Sequence, residues 1–482
     1  MPGQKLRDNA AGPSRSASVS QGYLSEDTIA ALATGVGGAI AVVRVSGPGS
    51  FAALARLLGD ANTDLSRFKP RMLARAPIPA LDDALAVRFV APESFTGEDV
   101  VELHIHGGSF TASLLLERLR GLGIRQALPG EFSFRAVRNG KMTLSQAQAI
   151  PDLIAASNEN AVSLALEKLS GTQNRLIAAI ASSLKTLTVL GEVGIDFADQ
   201  DVEELSLPVL KNRITPVLDD LERLRASYER GSRIQEGFSA AFVGLPNAGK
   251  SSFFNLLLGE NRSIVSEIAG TTRDVVREQI SLKNEAGSVT LRLHDTAGLR
   301  HSADEIERMG VERTEKAAQE ADLLFLVVDA AALERDLVTI RSRWEKLGSP
   351  ASRTIGILNK TDLLTPQALA AALQDVASFG LSAWFPLSSL SGSGAQEAVT
   401  GVIRHCSKHS LRKPGEVLLT RLDQLRSVEA AAENLRRALT ATEEDLFASD
   451  IRQALHALGP LVGDTLPDDI LGQIFSDFCI GK

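Results

Sequence analysis

Residues 238–259 read FSAAFVGLPNAGKSSFFNLLLG, and this stretch decides the fold. A short apolar run, SAAFVG (239–244), ends in glycine. The loop after it fits G-x-x-x-x-G-K-[ST], through Gly244, Gly249, Lys250 and Ser251, and SSFFNLLLG then has a helical pattern. A strand, a glycine-rich loop and a helix in that order make an anion cradle. The glycines let backbone N–H groups wrap a phosphate, and the helix N-terminus faces its charge. Three further runs repeat the plan: SVTLRLHDTAG (288–298), DLLFLVVDA (322–330) and RTIGILNKTD (353–362) read as strands closing on polar motifs. Helical stretches separate the last of them. The alternation predicts an α/β domain over residues 236–405, a mostly parallel doubly wound sheet with its ligand site at the carboxyl ends of the strands.

Outward from this domain the pattern changes on both sides. Residues 141–235 and 406–482 carry apolar residues at helical spacing. They read as the two parts of one discontinuous helical domain into which the α/β domain is inserted. VLLTRLDQLRSVEAAAENLRRALTA (417–441) reads as a long amphipathic helix, and Pro151 kinks or starts another. Residues 27–140 mix β-like runs, AIAVVRVSG (39–47), DALAVRFVA (83–91) and DVVELHIHGG (99–108), with helical ones such as SFTASLLLERLRGLG (109–123), an α+β domain. Residues 1–26 read as a disordered tail without the apolar core of a signal peptide.

The composition agrees. A chain of 482 residues suits several domains of roughly 100–200 residues each. Hydrophobic residues at 44% and charged ones at 23% exclude a disordered polymer. The net charge of −8 argues against nucleic-acid or membrane binding by bulk charge, while leaving room for a local basic patch. Two cysteines, Cys406 and Cys479, exclude a disulfide scaffold and fit a reducing, cytoplasmic setting. No uninterrupted apolar run reaches the roughly 18 residues of a membrane span, so no membrane partner is expected.

The polar motifs specify the nucleotide. Lys250 offers a point charge to β- and γ-phosphates, and the Ser251 hydroxyl can ligate Mg²⁺. Asp295-Thr296-Ala297-Gly298 follows, with Asp295 placed to hold Mg²⁺ through water and the Gly298 N–H to meet the γ-phosphate. In Asn359-Lys360-Thr361-Asp362 the aspartate can accept from both N1–H and the exocyclic amine of guanine, donors that adenine lacks there. Ser388-Ser389-Leu390 is a partial match to the Ser-Ala-Lys loop of such domains. Thr272, in Gly270-Thr-Thr-Arg-Asp274, is the natural switch threonine for Mg²⁺. Leu299 stands where many GTPases place a water-orienting glutamine, so hydrolysis uses another group or is very slow. Asn247 either helps bind a monovalent cation or stabilises the loop turn.

These residues resemble one family, the tRNA-modification GTPases MnmE or TrmE. GLPNAGKSS, IAGTTRD, DTAGLR with ExERMGVER, and NKTD resemble its GTPase domain; SFTGEDVVELHIHGG and LPGEFSFRAVRNGKMTLSQAQAI resemble its earlier regions; SDFCIGK (476–482) resembles its C-terminal signature. The resemblance covers nearly the whole chain after about residue 27. It implies an N-terminal folate-binding domain that dimerises, a helical domain and an inserted Ras-like GTPase domain. With the motifs it implies a GTP site of Asn247, Ala248, Gly249, Lys250, Ser251 and Ser252, then Ser266, Glu267, Ile268, Ala269, Gly270, Thr271 and Thr272, then Asp295–Gly298, Asn359, Lys360, Asp362, Ser388, Ser389 and Leu390. Potassium is implied at Asn247, Ser266, Ile268 and Thr271, with Mg²⁺ at Ser251 and Thr272. The K⁺ would promote dimerisation of GTPase domains and supply the charge that other systems take from an arginine finger. Glu307 matches the family's water-positioning acid, which answers the question raised by Leu299; Arg300 matches a residue of the same switch, and Cys479 the C-terminal cysteine.

The resemblance further implies a 5-formyl-tetrahydrofolate or methylene-tetrahydrofolate site at a homodimer interface, with Arg44, Glu102, Lys141 and Lys482 as contacts. A pteridine offers donors to a carboxylate such as Glu102, and its glutamate tail attracts Lys or Arg. A flavoprotein partner, MnmG or GidA, is implied in a heterotetramer that adds a (carboxymethyl)aminomethyl group at C5 of the tRNA wobble uridine. Two departures stand out: Thr34-Gly-Val-Gly-Gly38 replaces a Pro-Pro-Gly-Arg-Gly stretch and lacks its arginine, and Ser389 replaces an alanine. His104 and His106 alternate on one strand face and read as core or surface histidines in preference to metal ligands. Two competing readings are a regulatory GTPase switch in ribosome assembly and a folate-dependent transferase acting alone; the absence of a flavin fingerprint counts against the second.

Overall fold

The computed structural model describes residues 27–59, 64–196, 206–260, 278–293 and 317–462 apart from 411, 413 and 414, together with residues 23, 471, 474–476, 478, 480 and 481. They fall into two compact units. One comprises residues 1–151 and 459–482, the other residues 152–458.

The first unit is built on a six-stranded sheet of β1 (Ile29–Leu32), β2 (Ile40–Ser46), β3 (Ala74–Ile78), β4 (Asp82–Phe89), β5 (Val100–His106) and β6 (Arg125–Gln126). Its order is β3-β4-β5-β2-β1-β6, antiparallel except for the β1–β6 pair. Alternation sorts the side chains by face. Ala41, Val43 and Val45 of β2 and Val101, Leu103 and Ile105 of β5 pack into a core with Leu54 of α1 (Ser50–Leu57) and Leu115 and Leu119 of α2 (Ser109–Gly121). The other face is partly bare, with Ile40 62% and Leu85 40% exposed. It also carries Arg44, Glu102 and His104, which register pairing places side by side.

Helices α3 (Glu131–Arg138) and α4 (Leu144–Ala155, running through Pro151) follow. The C-terminal residues close over them: Phe475 packs edge-on to Phe134, and Pro129 bridges Ile480. Gly130 has φ 67°, and a Cβ there would lie 2.6 Å from the Phe475 carbonyl oxygen. That explains why the turn before α3 is glycine. Beside it lies a buried ionic cluster. Glu131, fully buried, accepts from Arg125 Nη2 at 2.6 Å, Arg135 Nη2 at 3.0 Å and the Leu128 N–H at 2.8 Å. Asp27 pairs with both guanidinium groups and Glu98 with that of Arg135.

The second unit contains a six-stranded sheet, ordered β12-β11-β10-β7-β9-β8. Its strands are β7 (Phe238–Val243), β8 (Glu278–Asn284), β9 (Gly287–Leu293), β10 (Leu323–Asp329), β11 (Thr354–Asn359) and β12 (Trp384–Pro386). All pairs are parallel except β8–β9. Phe238, Ala240 and Phe242 enter one core, Ala241 and Val243 another, so β7 is buried along its whole length, with Ser239 its one polar side chain, as a strand covered on both faces is expected to be nearly all apolar. Beyond α5 (Glu159–Leu169), α6 (Thr172–Asp196) and α7 (Leu207–Glu236), the helices around the sheet are α8 (Lys250–Glu260), α9 (Leu333–Lys346), α10 (Pro366–Ala377) and α11 (Ala395–Ser410). The unit also holds α12 (Leu422–Thr440), with α13 (Glu444–Val462) after it. Within α6 the span Thr172–Ile195 is long and apolar enough to cross a membrane by length and composition alone. Its buried residues Ile177, Ile180, Ala181, Leu184 and Leu187 follow the three-and-four spacing of a bundle helix packed on its neighbours.

The helix expected from residue 417 starts instead at Leu422. Residues 416–420 have no regular secondary structure and lie against α7, where the Leu419 N–H donates to Ser227 Oγ at 3.0 Å. The Leu419 carbonyl lies over Gly231, so close that a Cβ on Gly231 would meet it at 2.0 Å. Buried Lys168 anchors the same segment by donating to Thr420 Oγ1 and, at 2.8 Å, to Asp152 Oδ2. Tertiary contacts thus override the helical spacing of these leucines. Gly231→Ala would gain about 1 kcal/mol of intrinsic helix propensity. Overpacking against the backbone costs roughly 1–3 kcal/mol, so a net loss of up to about 2 kcal/mol is expected, read as a lower urea midpoint at unchanged slope.

Candidate nucleotide and folate sites

The phosphate loop lies at the carboxyl end of β7, between that strand and α8. Its conformation needs its glycines. Gly244 has φ 147°, and a Cβ there would meet the Val327 carbonyl at 2.2 Å; Gly249 has φ 91°, and its Cβ would lie 2.0 Å from Asn359 Nδ2. Asn247, at φ 61°, takes the left-handed conformation that asparagine tolerates. Lys250 folds over the loop and donates to the carbonyls of Gly244 at 3.1 Å and Leu245 at 2.8 Å. Burial, and then the charge of Arg343, hold its ammonium below the ordinary lysine range. An oxyanion inside the loop would relieve that burial penalty, so the residues fit a phosphate group.

Asn359 ties the three loops together. Its Nδ2 donates to the Ala248 carbonyl at 3.1 Å, while its Oδ1 accepts from Ser389 N at 3.0 Å and Ser389 Oγ at 2.9 Å. Ser389 therefore gives this asparagine two donors, its backbone N–H and its hydroxyl. Lys360, in left-handed conformation, pairs with Asp329 at 2.7 Å. Asp329 is the last residue of β10 and the register partner of Asn359. Sequence reasoning missed Asp329, although its place at the end of an apolar strand was a signal. Asp362 is exposed, and Leu390 is 92% exposed. Ser251 and Ser252 open α8. Ser266, Glu267, Ile268, Ala269, Gly270, Thr271, Thr272, Asp295–Gly298, Arg300 and Glu307 lie outside the described residues, as do Cys479 and Lys482. Cys406 is buried in the sheet core, and burial, then Asp322, push its thiol up to about 12, so it is inert.

In the first unit Arg44 and Glu102 face each other across β2 and β5 and form a pair, with Arg44 Nε donating to Glu102 Oε1 at 2.9 Å. The guanidinium also stacks over Phe95 at 5.0 Å and Phe132 at 5.5 Å. Phe95 then walls an open pocket of about 320 Å³, shared with Arg71, Phe89, Glu93, Ser94 and Lys141. Arg71 is paired with Glu93 at 2.9 Å, which leaves Lys141, a hydroxyl and two aromatic rings to meet a flat heterocycle with an anionic tail. His106 Nδ1 pairs with Asp82 at 2.7 Å, and among the described residues no group of three or more metal-ligating side chains occurs.

A doubly wound sheet with a phosphate loop, an Asn-Lys-Thr-Asp loop and a serine loop at its strand ends defines a P-loop guanine-nucleotide-binding protein. Residues 28–141 match the family described as the GTP-binding protein TrmE N-terminus, and residues 144–479 match the MnmE helical domain. The tRNA modification GTPase MnmE of Pseudomonas fluorescens is 38% identical, over 95% of this chain and 99% of its own. That of Natranaerobius thermophilus is 36% identical, over 95% and 100%. The chain belongs to the MnmE/TrmE family of tRNA modification GTPases. A solved structure of an Aquifex aeolicus Era variant bound to GDP.AlF4- is 24% identical and covers 43% of this chain and 68% of its own, with a TM-score of 0.26; so low a score carries no argument.

Proposed function

We propose that the protein hydrolyses GTP to drive the addition, with a flavoprotein of the MnmG or GidA type in a heterotetramer, of a (carboxymethyl)aminomethyl group at C5 of the tRNA wobble uridine, working in the cytoplasm. The observation that carries the reading is Asn359, which draws the phosphate loop and both guanine-side loops into one site in a chain of this family. The domain boundaries proposed are 27–140, 141–235, 236–405 and 406–482 after a tail of 1–26. Lys250 and the loop N–H groups would bind the phosphates and Ser251 with Thr272 the Mg²⁺, which lends positive charge to the transferring group. Asn247, Ser266, Ile268 and Thr271 would hold K⁺, and Glu307 would orient the attacking water. In the N-terminal domain, Lys141 and the aromatic pocket would bind a tetrahydrofolate derivative, the one-carbon donor. The bare sheet face around Ile40 and Leu85, which also bears Arg44 and Glu102, supports a homodimer built across it.

The test is GTP hydrolysis in matched KCl and NaCl, with dimerisation followed in the presence of aluminium fluoride. Turnover is expected to require K⁺ and to fall roughly 10²-fold or more in Glu307→Ala. Equal rates in the two salts would sink the cation mechanism. Intact wobble modification in cells lacking the protein, with altered ribosome profiles, would move the reading to a ribosome-assembly switch.

A further inference from the structure

Helix α11 carries an unusual surface. From Ala398 to Gly415 the chain has no acidic residue, yet it holds Arg404, His405, Lys408 and His409 on the last two turns of the helix. Arg404, Lys408 and His409 are exposed, and His405 is half-buried. Several arginines of this unit pair with carboxylates, Arg225 with Glu222, Arg230 with Glu416, Arg233 with Asp322 and Arg437 with Asp450, while others such as Arg341 and Arg353 bond a hydroxyl or carbonyls. Among the described residues none of the four α11 side chains has a carboxylate partner. The helix dipole accounts for cations in the last turn, where Lys408 and His409 stand. It does not account for Arg404, placed one turn before Lys408, where like charges repel along the helix.

The two histidines add a second character. Their rings lie 5.1 Å apart, tilted by 51°. Burial, then His409 and Lys408, lower the pKa of His405, so its ring is neutral at pH 7. The face therefore presents two fixed charges, about 6 Å apart along the helix axis, beside a pair of stackable heteroaromatic rings. No apolar fringe of the kind a membrane-surface helix needs accompanies them, since Ser407 and Ser410 fill the intervening positions. Acidic protein would satisfy the charges but leave the rings without a role. RNA uses both: phosphates meet Arg and Lys, and unstacked bases lie on aromatic or imidazole planes.

We propose that the outward face of α11, formed by Arg404, His405, Lys408 and His409, docks the sugar-phosphate backbone and an unstacked base of tRNA. The inference rests on the tRNA reading above and adds a surface to it. It also reconciles RNA binding with a net charge of −8, because the attraction is local.

The test uses the full-length protein and an unmodified tRNA transcript, with binding measured between about 50 and 200 mM KCl. The double variant Arg404→Gln/Lys408→Gln is expected to bind at least tenfold more weakly. Its plot of log affinity against log salt should flatten by about 1.4–1.8, the share of two phosphate contacts. His405→Ala/His409→Ala should lose affinity with the slope unchanged. Neither variant should alter GTP hydrolysis measured without RNA or shift the melting temperature. Wild-type affinity and slope in the double variant would overturn the surface while leaving the tRNA reading intact. Equal weakening toward polyglutamate would assign the face to an acidic protein and overturn the RNA occupant. Failure of the wild type to bind tRNA overturns the surface alone if wobble modification still depends on the protein, and both readings if it does not.

Discussion

Asp362→Asn is expected to weaken GTP binding by about 10²–10⁴-fold and to transfer preference to xanthosine triphosphate. In the proposed site the aspartate would offer two acceptors to the two donors on the guanine edge. Each charge-assisted hydrogen bond contributes roughly 1.5–3 kcal/mol. Asparagine keeps one neutral acceptor for N1–H and turns its Nδ2 donor toward the guanine amine, a donor against a donor. On xanthine the amine is a carbonyl, and the same Nδ2 gains a partner. Asp362 is exposed, so the substitution leaves folding intact. Competition binding with both nucleotides on the full-length variant decides the matter. Unchanged guanine preference would mean that Asn359 and the serine loop, not Asp362, read the base.

The second large effect lies far along the chain. Glu131→Ala should destabilise the first unit by about 3–5 kcal/mol, the cost of stripping the partner from a buried charge. At roughly 2–4 °C per kcal/mol that lowers its melting temperature by roughly 6–20 °C. Arg135 has only 3% of its side chain exposed, so water cannot replace the lost carboxylate. Arg125 would also lose its bidentate contact. The damage should appear as faster amide exchange in β1, β6 and α3, the elements the cluster joins. Arg75→Ala breaks a pair of the same chemistry with Asp83, but both side chains are more than half exposed, 73% and 53%. No measurable change is expected there. Similar losses in both variants would mean that burial is not what gives the cluster its strength.

The GTPase half was legible because its signals are local. The phosphate loop's glycines, the apolar runs of β7, β10 and β11 and the polar motifs that close them each sit within a dozen residues, where spacing encodes conformation directly. The short strands β1, β3 and β6 carried no such signal. Residues 74–78 contain Arg75 and Pro77 with only two buried side chains, and a two-residue strand such as β6 has no periodicity to read. The leucines at 418, 419, 422 and 425 satisfied a helical pattern, but Gly231 and Ser227 captured the first two in a non-helical segment.

By itself, the sequence determined the nucleotide chemistry, the parallel sheet and the order of strand and helix. Folding decided what distant residues do together. Asn359 became the bridge between loops 111 residues apart, Asp329 the partner of Lys360, and Glu102 a counter-charge to Arg44. Asp27 met Arg135 across 108 positions, and the clustering of Arg404, Lys408 and two neighbouring histidine rings on one exposed face of α11 emerged only in the folded helix. Local preferences are set by neighbours in the chain, whereas a partner for a buried charge or a bare cationic face is a property of the surface left after all long-range pairing is complete.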